Sequence, residues 1–325
     1  MIKGNKQITV SKSVFALLLP IIIFSFLSFR IKDVNNIPAD SPAIGRWDLT
    51  VNMGDRMAPS WLEVKLSGIN TLVGYFVADG GSARPVSKVN FSDGKISFNI
   101  PPQWDNSNKD MQFEAVLKDD QLSGTINSSS GKQYSFTGVR APLLKRDKAP
   151  VWGKPIKLIN GKDVSGWHAD RANNQWVVTN GILTSAKPGA NLITGQKFDD
   201  FKLHVEFRYQ AGGNSGVYLR GRYEVQVEDS KGKEPASVYF GGVYGFLTPN
   251  EMVAKSPGEW QSFDITLIGR LVTVVANGKE IICRQQIPGI TGGALDSNEG
   301  EAGPIMLQGD HGPVEFRNIV ITPAK

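Results

Sequence analysis

Between about Ile44 and Val139, apolar and polar residues alternate with period two in short runs. Leu62, Val64 and Leu66 interleave with Glu63 and Lys65, and Gly68 and Asn70 then turn the chain into Thr71 to Val77. That is the pattern of a hairpin with one buried face. Val89 and Phe91 pass through Asp93-Gly94 into Ile96, Phe98 and Ile100, and Asp-Gly favours a two-residue hairpin turn because both residues tolerate a positive φ. Phe113 to Leu117, Leu122 to Ile126 and Tyr134 to Gly138 continue the series. Seven or eight short strands predict a small all-β barrel or sandwich over residues 44–140.

The pattern then lapses. Residues 141–155 carry Pro142, Pro150 and Pro155 among Lys145, Arg146, Lys148 and Lys154 without an apolar face, and read as a solvated linker. From Ile156 the strands return and are longer: Phe201 to Tyr209, Val217 to Glu228, Gln261 to Ile268, Leu271 to Ala276 and Val314 to Ile321. Asn160-Gly161, Asn180-Gly181 and Asn277-Gly278 punctuate them, and long antiparallel strands of this kind predict a two-sheet jelly roll over residues 156–325.

Charge changes the picture at one end only. Lys and Arg number 36 against 31 Asp and Glu, and the five extra cations, Lys3, Lys6, Lys12, Arg30 and Lys32, all precede Asp33. The remainder is balanced, with no basic face for a nucleic acid. The cations flank an uncharged apolar run from Val14 to Phe29, which together predict a signal peptide or uncleaved membrane anchor over residues 1–32. Export to the periplasm or cell envelope follows as the expectation, with residues 14–29 as a membrane contact. The single cysteine, Cys283, rules out an intramolecular disulfide and reads as a buried small hydrophobe. No two glycines stand one residue apart, and no Walker loop, H-E-x-x-H or G-x-S-x-G occurs. Dinucleotide enzymes, P-loop NTPases, zincins and α/β-hydrolases are thereby disfavoured. Asp296, Glu299 and Glu301 could bind Ca²⁺, although three acids in a loop are more often simply solvated.

Chemistry concentrates in Asn214 to Asp229, NSGVYLRGRYEVQVED. One register holds Val217, Leu219, Gly221, Tyr223, Val225 and Val227; the other holds Tyr218, Arg220, Arg222, Glu224, Gln226 and Glu228. Two-pronged hydrogen-bonding side chains in a row are unusual for a merely wet sheet face. The Gly-rich loop Gly212-Gly213-Asn214-Ser215-Gly216 leads into them. A second cluster, Gln308-Gly309-Asp310-His311-Gly312, places a histidine in a loop just after a strand. His204, alone on its strand, reads as structural.

These segments carry a resemblance. Leu158-Ile159-Asn160-Gly161-Lys162-Asp163-Val164-Ser165-Gly166-Trp167, Trp176 to Leu183, NSGVYLRGRYEVQVEDS, Gly258-Glu259-Trp260 and GPIMLQGDHGPVEFRNI resemble the family of 3-keto-disaccharide hydrolase domains. The resemblance implies a concanavalin-like jelly roll acting on a carbohydrate substrate oxidised at C3. Such chemistry needs a base at C2, a stabiliser for the enolate and an acid for the leaving group. Glu224 or Asp229 is then expected as base, Arg220 as anion stabiliser and His311 as acid or water activator. Asn214, Gln226, Tyr244 and Gln308 are expected to hold sugar hydroxyls, and a divalent cation could replace Arg220. The same residues would serve a hydratase of the 3-keto-glycal intermediate; the rival from another class is a non-catalytic carbohydrate-binding module. The sequence assigns neither a metal nor an oligomeric state.

Overall fold

The computed structural model describes residues 41–325 apart from position 105. The leader read at residues 1–32 lies outside the described residues. Among the described residues there is no helix, and every regular element is a strand.

Eight strands, from Gly45–Asn52 to Gln133–Arg140, pair each with the next, and the first closes on the last. The result is a closed barrel, which leaves no free edge to template aggregation. Its interior holds Trp47, Phe76, Phe98, Phe113 and Phe136, with Phe98 stacked on Phe113 at 4.5 Å between centroids. The Asp93-Gly94 turn takes positive φ at both residues, 51° and 74°, as its chemistry requires.

The second region is a two-sheet sandwich. One sheet runs Trp167–Ala169, Leu192–Phe198, Gly303–Leu307, Asn214–Leu219, Tyr223–Glu228; the other runs Trp176–Thr179, Ile182–Ser185, Val314–Pro323, Phe201–Tyr209, Gln261–Ile268, Leu271–Ala276, Lys279–Gln286. Alternate residues of the long strands, among them Leu203, Val205, Phe207, Phe263, Ile265 and Phe316, meet between the sheets in one apolar core.

Three expectations are refined or corrected. The segment 141–155 keeps much of its length exposed and is also tied to the sandwich. Arg146 pairs with Asp199 and Asp200 at 2.6 and 2.7 Å, and the Gly153 N–H donates to the Pro323 carbonyl at 2.7 Å. Cys283 is exposed: a register irregularity in its strand buries Ile281 and Ile282 consecutively and turns the next residue outward. Two of the three acids of the 296–301 loop are engaged by arginines, Asp296 by Arg222 at 2.8 Å and buried Glu299 by Arg270, while Glu301 is exposed.

Barrel and sandwich belong to one compact unit. Trp61 of the barrel enters the sandwich core and meets the Phe246 ring edge-on at 5.1 Å. Gly289 makes room for it, since a Cβ there would stand 2.0 Å from the indole nitrogen. Ser297 donates to the Leu49 carbonyl at 2.6 Å, and the Gly293 N–H donates to the Asp79 carbonyl at 3.0 Å. This docking brings two barrel loops, around residues 79–83 and 101–104, to the edge of the site.

Candidate active site

The stretch Val217 to Glu228 is two strands and not one. It folds back at Arg220-Gly221, both residues with positive φ, 52° and 67°, and the Arg222 N–H donates to the Leu219 carbonyl at 3.0 Å. Arginine is an uncommon occupant of such a position, which is why the turn escapes a reading by turn chemistry. The hairpin preserves the parity of the strands. Tyr218 stands opposite Glu224 and Gly216 opposite Gln226, so these side chains share one face, while Val217, Leu219, Tyr223, Val225 and Val227 enter the core.

A cleft of about 220 Å³ opens over that polar face. Six of the eight residues singled out from the sequence line it: Asn214, Glu224, Gln226, Tyr244, Gln308 and His311. Tyr218, Asp310, Trp104 and the backbones of Gly80, Gly81, Gly292 and Gly293 complete its wall.

Glu224 is buried. The Tyr218 hydroxyl lies 2.9 Å from its Oε2 and 3.0 Å from the Gly292 carbonyl. Burial lifts the Glu224 carboxyl, and although the Tyr218 hydrogen bond and the charge of His311 pull against it, the group is left raised to about 8, with the Asp310 charge adding to the rise. Burial, followed by the Glu224 charge, drives the Tyr218 phenol well above its ordinary range, so it stays a neutral donor. Across the cleft, His311 Nδ1 lies 2.5 Å from Asp310 Oδ1. That hydrogen bond raises the affinity of His311 for its proton, against partial burial. The loop that carries this pair is fixed from below. The Gln308 N–H donates to the Gly216 carbonyl at 2.9 Å, and the Gly309 N–H donates to Asn191 Oδ1 at 2.9 Å.

Two amide oxygens stand out. Gln226 Oε1 and Gln308 Oε1 are buried and have no hydrogen-bond partner within the protein, although Gln226 Nε2 donates to the Val238 carbonyl at 3.2 Å. Buried acceptors of this kind are ordinarily satisfied, and both belong to residues that line the cleft. Hydroxyl groups of a bound sugar are suitable donors for them.

Two sequence-selected residues are not brought to the cleft. Arg220, swung to the opposite side by its turn, is buried against Asp199 Oδ1 at 3.0 Å, the Tyr223 hydroxyl at 3.1 Å and the Gly269 carbonyl at 2.9 Å. Asp229 instead ties down the glycine loop, its Oδ2 accepting from the Gly212 N–H at 3.0 Å. Among the described residues no group of three or more His, Cys, Asp or Glu is arranged to hold a metal ion. Asp310 was legible as the neighbour of His311 in sequence. Trp104 and the glycines of the barrel wall were not, because only the docking of the barrel brings them near.

Similarity to known proteins extends over the sandwich. A curated 3-keto-disaccharide hydrolase of Bacteroides thetaiotaomicron is 29% identical over 91 residues, 24% of this chain and 31% of that protein. The matched stretch is thus under a third of the relative's length. A crystal structure from Parabacteroides distasonis, provisionally described as a glycosyl hydrolase, is 32% identical over 51% of this chain and 82% of its own, with a TM-score of 0.45. Another from the same organism, similarly described, is 25% identical over 52% and 98%, with a TM-score of 0.43. Residues 154–322, just over half of the sequence, match the 3-keto-alpha-glucoside-1,2-lyase-like domain, and the chain belongs to that family.

Proposed function

We propose that this protein cleaves 3-keto-glycosides by removing the C2 proton, expelling the aglycone from C1 and adding water to the resulting enone. The observation that carries the reading is a buried carboxyl, Glu224, at the same cleft as the Asp310–His311 pair. The name of the curated relative supports the substrate class. A module that only bound sugar would gain nothing from a carboxyl that ionises at the cost of its own desolvation.

The C3 ketone acidifies the C2 proton. Ionised Glu224 takes it, and the electron pair moves to form an enolate whose oxygen needs a donor. Arg220 is engaged elsewhere, so this role passes to Tyr244, whose phenol burial keeps protonated. The enolate re-forms the ketone as the C1–O bond breaks, and protonated His311 delivers its proton to the departing oxygen. Neutral His311 then takes a proton from the water that attacks C1, and Glu224, whose proton has exchanged with solvent, protonates C2. Both groups end as they began, and the net reaction is hydrolysis without an oxocarbenium ion. Gln226, Gln308 and Asn214 hold the ring hydroxyls.

Incubation of the purified chain with a 3-keto-glucoside and with its unoxidised parent tests the reading. Aglycone is expected from the 3-keto substrate alone. Release from both, or from neither, contradicts it; conversion of an added 3-keto-glycal without any glycoside cleavage would reduce the function to the hydration half.

A further inference from the structure

Trp104 lies on the loop between the barrel strands Lys95–Ile100 and Met111–Lys118, and 72% of its surface is exposed. It lines the same cleft as Glu224 and His311, yet it stands outside residues 154–322 that match the family. Its indole offers a flat apolar face at the mouth of a polar cleft, the kind of surface on which a ring can stack.

The loop that carries it is built into place. Gln103 Nε2 donates to Ser82 Oγ at 2.9 Å, which joins it to the neighbouring loop of the barrel. Gly81, at a φ of 86°, leaves the space between them: a Cβ would stand 2.3 Å from Gln103 Oε1 and 2.9 Å from Trp104 Nε1. The loop that carries Gly81 abuts the sandwich, where a Cβ on Gly292 would come within 2.0 Å of the Gly81 carbonyl oxygen. Trp104 thus stands beside Gly81, and Gly81 in turn lies against Gly292 of the sandwich.

We propose that the N-terminal barrel supplies the subsite for the leaving group, with Trp104 stacking on the second pyranose ring of a disaccharide. This rests on the assignment of Glu224 as the base. The reacting ring must reach the buried floor formed by Glu224, Gln226 and Gln308, so the ring at the exposed mouth is the one that departs. The C–H face of a pyranose carries partial positive charge and fits the negative face of an indole. Loss of such a stack weakens binding of the ring without touching the chemistry.

Steady-state kinetics of the full chain on a 3-keto-α-glucosyl-glucose disaccharide and on methyl 3-keto-α-glucopyranoside tests the subsite. Trp104→Ala is expected to raise KM for the disaccharide about fivefold to tenfold more than for the methyl glycoside, and Trp104→Phe to recover most of the difference. Equal losses on the two substrates, or no loss on the disaccharide, would overturn it. If the unmutated protein turned over neither, the cleavage reaction would fail as a proposal, and calorimetry with the same two sugars would decide the subsite. Weakening by Trp104→Ala confined to the disaccharide would then uphold the subsite, and any other pattern would remove it.

Discussion

The carboxyl of Glu224 lies across the bare backbone of Gly216 on the neighbouring strand, where a Cβ would stand 2.2 Å from its Oε1 and 2.9 Å from its Cγ and Cδ. The glycine gives the Glu224 carboxyl its position: every other residue would fill the space the carboxyl occupies. Gly216 is thus matched to a side chain and not to a turn.

Gly216→Ala should leave the sandwich folded and displace the carboxyl. A base moved by about 1 Å loses roughly a hundredfold in rate. The check is kcat on a 3-keto-glucoside alongside circular dichroism; a variant of native spectrum and native kcat would detach the glycine from the chemistry.

Tyr218→Phe removes the donor at Glu224 Oε2. Because that hydrogen bond lowers the carboxyl from the value set by burial, its loss raises the pKa further, and the base ionises at higher pH. The limb of the kcat/KM profile that reports Glu224 should move to higher pH, and a limb that stays in place or moves down contradicts the assignment.

Asp310→Asn acts on the other limb. The Asp310 hydrogen bond is the largest influence holding the proton on His311, so its loss lowers the pKa of that group and should move the limb that reports His311 to lower pH. Full pH profiles of both variants separate the two effects.

The barrel's contact with the sandwich should be pH-sensitive. Burial first, and the nearby Glu299 carboxylate second, hold the Asp48 carboxyl far above its usual range, although Arg270 and Arg222 pull against them. A carboxyl that keeps its proton in the folded state and loses it when unfolded costs nothing below its unfolded pKa. Stability is then lost as pH rises from there towards the raised folded value. Asp48→Asn should flatten that decline, raising Tm by a few degrees (about 2–6 °C) at pH 8 with little change at pH 4. A lower Tm at pH 8 would contradict burial of the Asp48 carboxyl as the cause.

Much of this was legible in the sequence for reasons that can be named. Period-two alternation and the Asp93-Gly94 and Asn277-Gly278 turns act locally, and the structure reproduces them as hairpins. The parity of Tyr218, Glu224 and Gln226 was readable because Arg220-Gly221 reverses the chain without exchanging its faces. The destination of Arg220 was not, since a residue at positive φ leaves the alternation that placed it beside Glu224. Asp229 was expected as an alternative base from the chemistry that the family resemblance implies, and only the fold shows its carboxylate holding Gly212. Trp104 illustrates the remaining gap: it joins Glu224 and His311 only through a contact between regions far apart in the chain, which no local pattern encodes.

The central claim is chemistry at C2, and the most direct measurement is the isotope content of that carbon. Cleavage of a 3-keto-glycoside in D₂O by the unmutated protein, sampled at early turnover against an enzyme-free control, should yield a 3-keto sugar carrying deuterium at C2. The proton taken by Glu224 exchanges before it returns, or is replaced from solvent. Glu224→Gln should neither cleave the substrate nor label it, falling by on the order of a hundredfold or more. Cleavage that leaves protium at C2, or labelling that persists unchanged in Glu224→Gln, would contradict the account.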